Sequence, residues 1–228
     1  QNCFMEKDMD KELKEHITND IFPKYERYYS HGMMHIESVI NNVSTLAEYY
    51  NLNKDMAYVI GAYHDLGLNV DRKNHEIESG KILDNDIELK KYFSEEQIKI
   101  MKEAVEDHRG SRKERPRNVY GEILSDSDRD FDMEILAKRQ LATSLKNYPE
   151  FKTFDEHFEN CYNYLSKRIN SSKHFNLWTN NPILVEKREA FEKNFFNKEY
   201  TKEVYRREYE RISLDGTKEK ILNYYLDY

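Results

Sequence analysis

His64 and Asp65 stand side by side at the end of an apolar run, with Met56, Ala57, Val59 and Ile60 before them and Leu66 after. Both are costly to bury, and both are ligands for a divalent cation. Neighbouring residues on a helix point about 100° apart, and metal–ligand bonds of about 2 Å let both reach one ion beside the helix end. Taken alone, the pair has a plainer explanation as a capped helix terminus.

Other residues of the same chemistry occupy matching places. His35 opens a helix whose apolar stripe is Ile36, Val39, Ile40 and Val43. Asp128 falls four residues after Leu124 and eight after Tyr120, on the apolar face. His108 is three residues after Val105 and seven after Met101, again inward. His75 follows Asn74 at a helix start. A buried carboxylate such as Asp128 is tolerated only when paired or bound to a cation. Four imidazoles and two carboxylates from five helices make convergence on a cation the economical account.

Those helices follow from composition and periodicity. Only 7 Gly and 4 Pro punctuate 228 residues, which favours helices over a turn-rich β fold. Apolar periodicity marks helices over 34–50 and up to His64, the latter capped by Asn53. Ser94 and Gln97 form a capping box before Ile98, Met101 and Val105, and Gly110 can stop that helix. Helices follow over 119–130, 133–146 and 154–169. The stretch NSSKHFNLWTNNP, 170–182, is the clearest break. One long charged helix, 184–212, lies beyond it, and a short one follows Gly216. The expected fold is all-α, with a lead-in over 1–19, a helical core over 20–170 and a C-terminal helical extension over 171–228. Trp178 and the aromatic stripe from Phe191 to Tyr209 read as core, so no base-binding residue is assigned to them.

The net charge of −7 argues against general nucleic-acid binding. No apolar run is long enough to span a membrane, and QNCFMEKDMD shows no basic-then-apolar leader pattern. Cys3 and Cys161 make no disulfide framework, so reduced thiols and a cytoplasmic setting are expected.

The ordered set His35 in HIESV, HD at 64–65, His75, His108 and Asp128 in SDSDRD resembles the HD-domain metal-dependent phosphohydrolase superfamily, over residues 20–170. The resemblance implies an all-α HD-domain bundle whose central ion is held by His35, His64, Asp65 and Asp128. Asp128 is preferred to Asp126 because the Asp128–Arg129 dipeptide matches the family's last aspartate. Some relatives hold a second ion with two further histidines, and His75 and His108 stand in those places. The alternative is that this pair binds substrate phosphate or transfers protons. The HDxxED acids of the guanosine-polyphosphate hydrolases are absent, since Leu68 and Asn69 occupy those positions. Asp65 and His108 then carry the catalytic role.

The implied chemistry is hydrolysis of a small phosphate ester, a nucleotide among the candidates, by metal-activated water. One or two divalent ions are required, with Mn, Fe, Zn, Co and Ni all suited to His/Asp ligation. The basic loop HRGSRKERPR, 108–117, contributes Arg109 as the phosphate-binding candidate. Arg72, Lys73 and His31 are further substrate-facing candidates. Two other functions stay open: a di-iron oxygenase of the same fold, and a non-catalytic module that keeps metal for stability while binding a nucleotide or partner.

Overall fold

The computed structural model describes residues 10–171 and 175–226. Residues 1–9 of the expected lead-in, Cys3 among them, lie outside the described residues, among which there are eleven α-helices and no strand. The helices are α1 (Lys11–His16), α2 (Met33–Tyr49), α3 (Lys54–Tyr63), α4 (His75–Asn85), α5 (Glu95–Asp107) and α6 (Val119–Ser127). They continue with α7 (Met133–Asn147), α8 (Phe154–Asn170), α9 (Pro182–Phe196), α10 (Lys198–Leu214) and α11 (Thr217–Asn223).

Side chains fix most of the starts. Asn53 accepts from the Met56 amide at 3.0 Å and opens α3. The Ser94–Gln97 capping box opens α5, and a second box, Thr153–Glu156, opens α8. The expected single helix over 184–212 is two helices. Asn197 (φ −77°, ψ 86°) ends α9, and its side chain accepts from the Tyr200 amide at 3.2 Å to start α10. The helix expected over 119–130 stops at Ser127, leaving Asp128, Arg129 and Asp130 on the turn before α7.

Apolar packing forms two clusters that meet near residue 131. One cluster unites α1 to α6, with Ile36, Val43, Ile60, Met101 and Leu124 at its heart and Leu177 and Leu184 folded back onto it. A second unites α7 to α11 around Phe158, Leu141, Phe195 and Tyr205, with Cys161 a buried free thiol within it. Phe131 is packed against both clusters.

Within the first cluster, α2 packs on α3 and α6, and α5 packs on α4 and α6. Gly67 lets the turn after α3 press against the start of α4. A Cβ there would lie 2.0 Å from the His75 carbonyl oxygen, so any side chain would push α4 away. This close approach brings His75 to Asp65.

Candidate metal centre

The end of α3 solves its polar termini locally. His64 occupies the C-cap position, and its Nδ1–H donates to the Gly61 carbonyl at 2.8 Å. A carbonyl only accepts, so the proton is fixed on Nδ1 and the Nε2 lone pair faces the other way. The same device recurs twice. His108 Nδ1 donates to the Val105 carbonyl at 2.6 Å at the end of α5, and His75 Nδ1 to the Arg72 carbonyl at 3.1 Å at the start of α4. Three rings are thereby held in one tautomer by their own backbone.

Their free Nε2 atoms converge on Asp65. Its Oδ2 lies 3.4 Å from His64 Nε2 and 3.7 Å from His35 Nε2. Its Oδ1 lies 3.5 Å from His75 Nε2 and 3.7 Å from His108 Nε2. Asp128 Oδ1 adds to the first group, 3.0 Å from His35 Nε2 and 3.6 Å from His64 Nε2. Two triads result, His35–His64–Asp65 and Asp65–His75–His108, each with its ligand atoms within 4.8 Å of one another. They share Asp65, one oxygen facing each. His35 and His64, both fully buried, bring their Nε2 atoms to 3.4 Å. Two ring nitrogens so placed require a proton or a cation between them, and the donor set suits a divalent transition metal. Asp128 and His75 retain 24% and 14% side-chain exposure against 4% or less for the other four, so the centre is reached from their side.

The electrostatics follow. Burial alone lowers an imidazole pKa, but at His64 the Asp65 and Asp128 carboxylates outweigh it and raise the ring to about 10. His35 is raised in the same way, burial and Arg139 being overcome by Asp130 and Asp128. Asp65 and Asp128 are held well below the usual carboxylate range, burial being outweighed by His64 and His108 for the first and by His35 and His64 for the second. His75 moves the other way, lowered by burial and by His108. The buried carboxylates thus demand positive charge, which protons supply at His35 and His64 and which a cation can supply instead.

Two residues of this centre escaped the sequence reading. Asp130 Oδ2 lies 3.4 Å from His35 Nδ1, and Arg139 of α7 pairs with Asp130. Arg139 Nη1 also lies 3.2 Å from His35 Nδ1, so Asp130 and Arg139 together hold that side of the ring while Nε2 faces inward. The signal was the alternation of aspartates in SDSDRDFD, which has four distinct uses. Asp126 accepts from the Trp178 and Thr179 amides at 2.8 and 2.9 Å. Asp128 faces the histidines, Asp130 backs His35, and Asp132 caps α7 through the Glu134 amide at 2.9 Å.

The basic loop departs from expectation. Arg109 donates to the Lys73 carbonyl at 2.9 Å and pairs with Glu76 at 3.3 Å, so it braces the start of α4 instead of standing free. Arg112 and Arg117 both pair with the buried Asp107, at 3.1 and 2.9 Å, and Arg115 pairs with Glu122. Acidic partners on α4, α5 and α6 claim these guanidiniums, which the linear sequence could not reveal. Arg72 and Lys73 are exposed. His31 is half-buried, its ring edge-on to His35 with centroids 6.0 Å apart.

The HD-domain family model matches residues 32–131, a span that begins just before α2 and ends at the division between the two apolar clusters. That stretch of the chain is similar to an HD domain. HD domains typically bind divalent metals, and every residue of both triads falls within the match. Among solved structures, a predicted HD superfamily hydrolase from an uncultured Thermotogales bacterium is similar at 18% identity, covering 69% of this chain and 89% of its own, with a TM-score of 0.45. No curated protein matches. Among the described residues no helix is long and apolar enough to cross a membrane.

Proposed function

We propose that this chain is a metal-dependent phosphohydrolase acting on a small phosphate ester, with nucleotides among its substrates. His35, His64, Asp65 and Asp128 hold one divalent ion, and Asp65, His75 and His108 hold a second. The observation that supports the reading most is the division of Asp65, whose two oxygens face separate pairs of histidine Nε2 atoms. A divalent ion supplies water of lowered pKa and neutralises phosphoryl oxygens.

The chain's own residues supply the rest. Backbone carbonyls lock His64, His75 and His108 with Nε2 inward, so little reorganisation precedes binding. The more open His75–Asp128 side admits substrate. Arg72 and Lys73, exposed beside His75, attract phosphate there, and His31 borders the His35 side. Hydrolysis adds hydroxyl to phosphorus and leaves one proton for the departing oxygen. With a single ion bound, the Nε2 atoms of His75 and His108 remain free to take and return that proton.

Metal analysis of the purified protein, followed by a phosphate-release panel with that metal restored, tests the proposal. Two ions per chain and metal-dependent phosphate release are expected. Iron-dependent oxygen consumption without phosphate release would replace the reading with an oxygenase. Nucleotide binding without turnover across several metals would replace it with a binding module.

A further inference from the structure

Five buried side-chain polar atoms among the described residues have no hydrogen-bond partner, and four of them lie between residues 125 and 129: Ser125 Oγ, Ser127 Oγ, Arg129 Nε and Arg129 Nη1. Buried polar groups are almost always satisfied, so a cluster of exceptions calls for a cause. The serine hydroxyls have a local recourse, since a helical serine can turn to the carbonyl four residues back. The Arg129 guanidinium has none. Its fixed fork carries donors only, and a buried charged donor left unpaired costs more than a neutral one.

Its neighbours do not answer it. Arg129 is close enough to Asp126 and Asp128 to feel both charges. Yet Asp126 already accepts from the Trp178 amide, the Thr179 amide and the Thr179 hydroxyl, at 2.8, 2.9 and 2.7 Å. Asp128 turns Oδ1 to His35 and His64, at 3.0 and 3.6 Å. On the other side Arg188 repels it, while itself donating to the Phe175 carbonyl at 3.3 Å. A cation held beside two carboxylates that do not bond it, and against a second guanidinium, lacks an anion.

We propose that Arg129 is an anion-binding residue of this centre, offering its unpaired guanidinium donors, Nε–H and Nη1–H, to oxygens of a phosphate carried in on the Asp128 side. This rests on the proposed phosphohydrolase reading, and it moves the phosphate-binding role from Arg109, which Glu76 and the Lys73 carbonyl already engage. A planar guanidinium with several directed N–H donors suits phosphate oxygens better than a point charge. Arg129 is then a residue whose burial serves binding at the expense of stability.

The test is calorimetric titration of inorganic phosphate into the metal-loaded full chain, for wild type, Arg129→Gln and Arg129→Lys. Metal stoichiometry and the Tm of the metal-free, phosphate-free proteins are measured alongside. Arg129→Gln should weaken phosphate binding about tenfold or more, keep the wild-type metal stoichiometry and melt no lower than wild type. Arg129→Lys should recover only part of the affinity. Three results would overturn the inference: wild-type affinity in Arg129→Gln, no phosphate binding by metal-loaded wild type, or loss of metal and Tm together in Arg129→Gln. If wild type takes up no metal, the phosphohydrolase reading fails at that earlier step. Phosphate titration of the metal-free proteins then still decides Arg129 separately.

Discussion

The two apolar clusters treat buried polarity in opposite ways. In the first, α2, α4, α5 and α6 each bring one acid or imidazole to a common point and the end of α3 brings two, and Asp65, His35, His64 and His108 are almost wholly buried there. In the second, burial is apolar, with aliphatic side chains packed around a set of ring contacts. Tyr162 stacks on Phe195 with centroids 4.8 Å apart, Phe158 meets Tyr205 edge-on, and Lys198 and Arg206 lie over the rims as cation–π partners. Its buried histidine, His157, shares a 2.8 Å hydrogen bond with Ser144. Like-charged and lone-pair-bearing groups at close range oppose folding unless something binds them. The first cluster accepts that cost at one place, and the second avoids it. The difference separates the region built around chemistry from the region built for packing.

The comparison breaks most sharply at Asp65. Asp65→Ala removes the one group common to both triads. Its metal content should fall to near zero and any metal-dependent activity by about a thousandfold or more, on the scale of losing an essential group, with far-ultraviolet circular dichroism unchanged. Retention of both ions by this variant would reject the shared-carboxylate geometry. A matched change in the second cluster should do the reverse. Phe195→Ala, at a fully buried position, should cost about 3–5 kcal/mol in denaturant unfolding while metal affinity of the folded protein stays at the wild-type value.

Arg139 sharpens the comparison, because it comes from α7 yet pairs with Asp130 behind His35. Arg139→Gln should lower metal affinity about 10-fold in a competitive chelator titration and leave two-ion stoichiometry intact. Unchanged affinity would make the second cluster a passive neighbour of the centre.

The smallest effect is on pH dependence. His64, raised from 6.5 to about 10 in the metal-free protein, contributes stability that is complete below about pH 6.5 and is lost as pH rises towards 10. Asp65 and Asp128, lowered, contribute stability that is present above their ordinary range near pH 4 and is lost under more acid conditions. The Tm of the metal-free protein should therefore decline between pH 6.5 and 10, and saturating metal should flatten that decline. Identical slopes with and without metal would show that protons and metal do not compete for the same site.

Much of this architecture was legible in the chain itself. Apolar spacing and cap residues such as Asn53 and Ser94 are local signals, and the helices they mark form where expected. The order of His35, His64–Asp65, His75, His108 and Asp128 likewise announced a cation-binding constellation, because inward-facing polar residues at helix ends need a shared partner. Local signals stop at the reach of a few residues. Asn197 reads as an ordinary polar residue within a charged helix until its side chain is seen capping the Tyr200 amide. Arg109 and Arg117 looked like free cations because Glu76 and Asp107 meet them only after folding, the first 33 residues away and the second 10. The role of Asp130 depended on Arg139 arriving from the other cluster. The sequence determined which residues could be buried together with a cation. Only the tertiary structure decided which charges neutralise one another and which, like Arg129, are left without a partner, because electrostatic pairing depends on distance in space and not along the chain.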